Sequence, residues 1–349
     1  GEIDKILKAD LEFDDYKQMP TAQSAQQILR LLEKDWKSFF TAIKDWSKNK
    51  DKYLGRPKLP KYKAKDGKHI LILTNQNVKL KDDVLVFPKT FCGFVMRPQF
   101  IKLDHFVSFQ QVRFIPNYKS FTVELVYNIE VPDEALPDNG RYLSVDIGLD
   151  NLATVVNNAG LKPVVINGKG LKSINKYYNK QISYYREMAK RMNDRDYTNR
   201  MNYLTIKRNN KIDDYMHKAS KYLIDYALAN HFNIIVIGNN KEWKQRSSMS
   251  KSVNQSFVGI PHMRFIEMVQ YKAQTVGLNV ILTEESYTSG TSFLDNEDPV
   301  KDNYNKVRRI HRGMFVSNKG IKINADVNGA YQIMKKVFPE AYANGIKGV

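Results

Sequence analysis

Three places in this chain carry acids whose setting suits chemistry. Asp146 ends the run Arg141-Tyr-Leu-Ser-Val-Asp146, where a lone carboxylate interrupts an apolar stretch that turns at Gly148 and continues through Asn151-Leu-Ala-Thr154-Val-Val156. Asp326 opens Asn324-Ala-Asp326-Val-Asn328-Gly-Ala330, just ahead of a helical pattern. Glu284 and Glu285 follow the apolar run Leu278-Asn-Val-Ile-Leu282. A carboxylate in an apolar setting is costly unless it is paired, hydrogen-bonded or bound to a metal. Acids at strand ends and a helix start suit hard divalent cations, and two Mg²⁺ ions roughly 4 Å apart serve phosphodiester hydrolysis. Each acid also has an ordinary reading: Asp146 as a turn cap, Asp326 as a helix N-cap, and Glu284 or Glu285 as solvent-facing. Other chemistries fare worse. The six histidines lack metal-ligand spacing, Cys92 is alone, and no Gly-x-x-x-x-Gly-Lys-Ser/Thr loop is present.

The elements that must position these acids follow from periodicity. Ala25, Ile28, Leu29, Leu32, Trp36, Phe39, Phe40 and Ile43 recur at helical spacing, which predicts a helix over 21–48 capped by Thr21 after Pro20. From 69 to 132 the pattern alternates in short runs (Ile70–Leu73, Val84–Phe87, Val107–Phe109, Gln111–Ile115, Phe121–Val126), as in a small antiparallel barrel or sandwich. Residues 132–140 read as a boundary. Beyond them strands and helices alternate: two strands around Asp146, then Val164–Ile166, a long polar helical region over 171–230, buried strands at Ile234–Ile237 and Leu278–Leu282, and a helix after Asp326. That order predicts an α/β layer on a mixed sheet.

Composition points to a polyanionic partner. Lys and Arg number 55 against 37 Asp and Glu, a net charge of +18, and the pI is near 9.6. Twenty tyrosines and seventeen phenylalanines interleave with that charge, a mixture suited to unpaired bases or structured RNA. Residues 48–68 are basic and broken by Pro57 and Pro60; Arg56, Lys58, Lys61 and Lys63 read as phosphate contacts, with a solvated linker as the alternative. One cysteine excludes a disulfide framework and a cysteine-based zinc site within the chain. No apolar run is long enough for a membrane span and no signal peptide is recognisable, so a cytoplasmic protein is expected. The chain opens on Gly1, and a preceding segment is expected.

Several of these motifs resemble one family. Asp146-Ile-Gly-Leu-Asp-Asn-Leu-Ala-Thr resembles the first RuvC motif of the TnpB (OrfB) proteins of insertion sequences. Asn324-Ala-Asp-Val-Asn-Gly-Ala-Tyr331 resembles their third RuvC motif, and Tyr287-Thr-Ser289 the segment before their first zinc-finger cysteine. Ile237-Gly-Asn-Asn-Lys-Glu-Trp-Lys-Gln245, with Asn254-Gln-Ser-Phe and Ile260-Pro261, is a further signature. The resemblance implies a transposon-associated, RNA-guided DNA endonuclease with guide RNA and target DNA as partners. It implies an α/β RNase H-like (RuvC) nuclease domain at 141–349, an antiparallel β-barrel (wedge) domain with linker at 69–140, and a small helical recognition lobe with basic linker at 1–68. It also implies that part of the lobe and a first barrel strand precede this chain, and a monomer is favoured.

Two departures from the family pattern bear on the site. The second RuvC motif ordinarily ends its strand on a catalytic Glu, but Gly238 stands there. Some family members carry a relocated Glu before the Thr-Ser pair. Glu285 matches that position and Glu284 is its neighbour, so the resemblance implies that Asp146, Glu285 and Asp326 are the catalytic, metal-binding set for two Mg²⁺ ions, with Mn²⁺ an acceptable substitute. The zinc-finger-like insertion, around 289–322, has no cysteine, so no zinc is expected; of its Arg308, Arg309, His311 and Arg312, Arg312 is singled out as a nucleic-acid contact. The rival readings are a nuclease-inactive RNA-guided repressor, motivated by Gly238, and a structure-selective nuclease without a guide.

Overall fold

The computed structural model describes residues 1–349 apart from 11, 65–66, 99–105, 240–258, 312 and 343–349. It divides into two compact units, Gly1–Glu130 and Val131–Val349.

The first unit opens with α1 (Glu2–Ala9), α2 (Asp15–Gln18) and α3 (Ala22–Lys48). Thr21 caps α3 as its sequence predicts. Its hydroxyl accepts from the Ser24 amide while the Ser24 hydroxyl accepts from the Thr21 amide, a reciprocal box that satisfies two donors. Only Ser24 and Ala25 of this helix are buried. After a 3₁₀ turn at Lys50–Lys52 the basic segment has no regular structure, and Arg56, Lys58, Lys61 and Lys63 are all exposed. The strands form two three-stranded antiparallel sheets. One is β1 (Leu71–Thr74), β5 (Phe106–Asn117) and β6 (Ser120–Ile129); the other is β2 (Lys79–Lys81), β3 (Val84–Val86) and β4 (Val95–Met96). Leu73, Val78, Leu85, Phe87 and Val112 form the buried core. Among the described residues the ladders stay in two sheets and do not close into one barrel. The two short runs expected at 107–109 and 111–115 are one strand, β5, whose register against β6 shifts at two places; a bulge interrupts alternation without ending the strand.

In the second unit the sheet order is β11-β10-β7-β8-β9. β7 (Tyr142–Ile147), β8 (Asn151–Asn157) and β9 (Val164–Asn167) make an antiparallel meander, while β10 (Ile234–Gly238) lies parallel to β7 and β11 (Asn279–Thr283) parallel to β10. This is the mixed sheet that alternating strands and helices predict. The polar helical region is two helices, α4 (Lys169–Asn193) and α5 (Asn199–Ala229), broken where Asp194 adopts a left-handed conformation and Thr198 caps the next start. With α6 (His262–Thr275) they cover one sheet face, burying Leu143, Val145, Ile147, Val155, Ile235 and Ile237. Strand side chains alternate between faces, so Ser144, Asp146, Thr154, Val156, Val236 and Gly238 share the other. That face meets α7 (Ala325–Val337), where Val156 packs with Ala330, Tyr331 and Met334.

The stretch after Glu130, expected to go with the β region, belongs to the second unit. The Leu136 amide donates to the Gly277 carbonyl (2.7 Å) and the Asn233 side chain to the Pro137 carbonyl (2.7 Å). Among the described residues no helix is long and apolar enough to cross a membrane.

Residues 289–324 carry the short strands β12 (Met314–Val316) and β13 (Lys322–Asn324), paired antiparallel. Their core is aromatic: Phe293 stacks on Tyr331 at 4.4 Å between centroids, with Tyr342 edge-on to both. The buried Asn328 accepts from the Phe293 amide and donates to the Thr291 carbonyl. Gln332 donates to the Glu297 carbonyl and Lys335 to Asn296. A half-buried Arg308–Glu297 pair at 2.5 Å adds a further cross-link. One face of α7 thus fastens this segment.

Candidate active site

Asp146 is the penultimate residue of β7, on the sheet face covered by α7. Gly329, one turn into α7, lets the helix approach it: a Cβ at Gly329 would stand 3.0 Å from Asp146 Oδ2. Directly across the ladder Asp146 faces Thr154 of β8. The Thr154 and Ser144 hydroxyls are buried on this face and have no hydrogen-bond partner among the described residues.

Asp326 is not the cap of α7. Asn324 takes that role, its Oδ1 accepting from the amides of Asp326 (2.9 Å) and Val327 (3.1 Å). The Asp326 carboxylate is therefore free of capping duty. Its Oδ2 accepts from Asn151 Nδ2 at 2.9 Å, and its Oδ1 faces Arg309 at 3.4 Å. Asn151 begins β8, so the β7–β8 hairpin that supplies Asp146 also steadies Asp326.

Glu284 and Glu285 separate cleanly. Glu284 turns outward, where its carboxylate and carbonyl both bind Lys336 of α7. Glu285 turns inward over the end of β10. Register pairs Gly238 with Thr283, and a Cβ at Gly238 would lie 2.6 Å from Glu285 Cγ and 2.7 Å from Ile333 Cδ1. The Glu285 side chain occupies the space that a side chain at Gly238 would need. The backbone holds it there. The Thr288 amide and hydroxyl both donate to the Glu285 carbonyl (3.2 and 2.8 Å), and Tyr287 adopts φ +67°, a left-handed conformation rare for a residue with a Cβ.

The electrostatics tie the three acids together. Burial pushes the Asp146 carboxyl well above the usual carboxylate range, Glu285 and Asp326 push it further, and Arg309 partly opposes them. Glu285 is pushed up to about 7, first by burial and then by Glu284, against the pull of Lys336. A set of mutually repelling carboxylates with hard oxygen donors, seated in spaces that two glycines leave open, fits divalent cations by its chemistry. The oxygens do not yet converge: among the described residues no three His, Cys, Asp or Glu side chains are gathered closely enough to hold one ion.

Of the basic residues picked from sequence, Arg56, Lys58, Lys61 and Lys63 belong to the first unit, and Arg312 lies outside the described residues. Among the described residues, the arginine paired with one of the three candidate acids is Arg309. In the sequence Arg309 stands among Arg308, His311 and Arg312 with nothing to distinguish it, and Lys336 carries no signal at all. Asn151 offers one signal, its position within the Asp146 hairpin.

Comparison with known proteins now adds to this geometry. Residues 124–244 match the model OrfB_IS605, a probable transposase, and residues 262–333 match the Cas12f1-like TNB domain. The TnpB-like protein ORF457 of Acidianus two-tailed virus is 25% identical over 209 residues, 58% of this chain and 43% of that protein. The chain thus spans less than half the length of that relative. Two solved structures are similar in fold: a Cas12f1-sgRNA-target DNA complex (TM-score 0.44, 13% identity, covering 95% of this chain and 84% of that one) and a CRISPR-Cas12f ternary complex (TM-score 0.45, 12% identity, 95% and 74%). The chain is thus similar to TnpB (OrfB) proteins along these matched stretches.

Proposed function

We propose that the chain is an RNA-guided DNA endonuclease that hydrolyses phosphodiester bonds with two Mg²⁺ ions, in the subgroup with a relocated Glu and no zinc cysteines. The observation that carries this reading is Glu285 filling the space at Gly238: the strand end has lost its acid, and another from the neighbouring strand stands in its place. Asp146, Glu285 and Asp326 would hold the metals, with Mn²⁺ as an alternative. Bound there, the ions would activate water and stabilise the leaving oxygen. The protein's own groups do the rest. Asn151 orients the Asp326 carboxylate, Gly329 admits Asp146 beneath α7, and Lys336 draws Glu284 away from the site. The net charge of +18 supports guide RNA and target DNA as partners, with Arg56, Lys58, Lys61, Lys63 and Arg312 as phosphate contacts. A monomer acting in the cytoplasm is part of the proposal. Purified protein with its co-purifying RNA should cut matching DNA in Mg²⁺, and unimpaired cutting by Asp146→Ala would defeat the assignment.

The unconverged acids favour one rival, a nuclease-inactive RNA-guided repressor. Loss of cutting in Glu285→Gln supports the endonuclease; a wild-type chain that binds target yet leaves it intact at saturating Mg²⁺ supports the repressor.

A further inference from the structure

The α4–α5 hairpin carries a cleft that the acid site does not use. It has a volume of about 370 Å³, within the usual size of ligand pockets, and is lined by Tyr177, Tyr178, Leu204, Lys207, Arg208 and Lys211 among others. No carboxylate lines it. Arg208 is fixed: its guanidinium donates to Asn175 Oδ1 (2.8 Å) and the Gly259 carbonyl and lies 5.6 Å over the Tyr178 ring. Tyr178 is fixed as well, its hydroxyl 3.0 Å from that of Thr205. Three other lining side chains are less constrained. Tyr177 is 61% exposed, and neither Lys207 nor Lys211 has an ion-pair partner among the described residues.

The same chemistry continues along the hairpin. Lys207 lies 5.8 Å over Tyr203, and Arg200 lies 5.3 Å over Tyr203 and 6.0 Å over Tyr185. Tyr178 and Tyr185 are two helical turns apart, roughly 10 Å along α4. Rings offering faces between cations match the alternation of bases and phosphates in an unpaired strand, whereas a duplex hides its base faces.

We propose that this hairpin binds a single-stranded nucleic acid, with one unpaired base stacked on Tyr177 and its phosphates on Lys207 and Lys211. The cleft belongs to helices that cover the sheet face opposite the acids, so the proposal holds whether or not the chain cuts. The shared chemistry is a base with its phosphate, which a strand or a free nucleotide can supply.

The test uses the full chain in EDTA, so that cutting plays no part. Fluorescent 12-mers of single-stranded RNA and DNA, the matching duplex, and UMP are compared by anisotropy and competition, and 5-iodouracil strands are photo-crosslinked and mapped. The expected results are a crosslink at Tyr177 or Tyr178, a loss of affinity of about tenfold in Tyr177→Ala, near wild-type binding in Tyr177→Phe, and a shallower salt dependence in Lys207→Gln and Lys211→Gln. Crosslinks confined to other segments, equal losses in Tyr177→Ala and Tyr177→Phe, or equal binding of duplex would overturn the proposal. Displacement by UMP at the same nucleotide concentration would also overturn the strand, leaving a free-nucleotide site. Comparing the RNA and DNA strands assigns the sugar.

Discussion

Glu285 Cγ lies 2.6 Å from the point where Gly238 would carry a Cβ. The two residues sit on neighbouring parallel strands whose register sets Gly238 beside Thr283, two residues short of the glutamate. One position has no side chain, and the other turns inward into its room.

This relationship makes Gly238 intolerant of substitution. Gly238→Ala should displace Glu285 and weaken Mn²⁺ binding by at least tenfold in calorimetry while the far-ultraviolet spectrum stays native. A fully competent Gly238→Ala would show that the contact is slack. Gly238→Glu combined with Glu285→Ala should regain part of the affinity, since it returns an acid to the strand end.

The metal-free chain should lose stability as pH rises. Glu285 in the folded state holds its proton to about 7 against an ordinary value of 4.5, so folding binds a proton more tightly between those values. Stability is then fully present below about 4.5, falls as pH rises through 7, and levels above it. Asp146, also raised, acts in the same direction. In EDTA, Glu285→Gln should flatten the melting temperature between pH 5 and 8 relative to wild type. Parallel curves would refute this linkage.

Thr154 faces Asp146 with a buried hydroxyl that has no partner among the described residues. An unsatisfied buried hydroxyl costs roughly 1–3 kcal/mol, so the isosteric Thr154→Val should raise the denaturation midpoint of the metal-free protein. A lowered midpoint would refute the penalty assigned to this hydroxyl.

The insertion should be sensitive to acid. Burial alone would raise Glu297, but Arg308, the Ser292 amide and Asn318 bind it and together hold its carboxyl below the usual range. That stabilisation is present above about 4.5 and is lost as pH falls through the lowered value. Arg308→Ala should lower the melting temperature by several degrees at pH 7 and by less at pH 4, read by calorimetry. Equal losses at both values would assign the effect to packing.

The sequence announced Asp146 and Asp326 because each breaks an apolar or helical pattern, and such breaks are visible in one dimension. Glu285 was legible only through family resemblance. Its inward turn depends on the parallel register of two strands more than forty residues apart and on an emptied position between them, which no local pattern encodes. The capping alternative for Asp326 was reasonable, and a residue two places earlier displaced it. Asn324, standing at the N-cap position itself, accepts from both amides. The mixed sheet followed from the order of apolar runs. A closed barrel did not, because ladder partners among short strands are chosen by turns and bulges. Nor could spacing alone reveal that Asn328 and Gln332 of α7 face the insertion.

The helix α7 carries Asp326 in its first turn and grips the 291–298 segment through Asn328, Gln332 and Lys335 further along. Thirteen residues make a rod roughly 20 Å long. The first anchor, Asn328, lies two residues from Asp326, so a shift of the insertion reaches the acid through less than one turn of helix. Aromatic rings and side-chain amides form this attachment, so the coupling runs through packing and hydrogen bonds together.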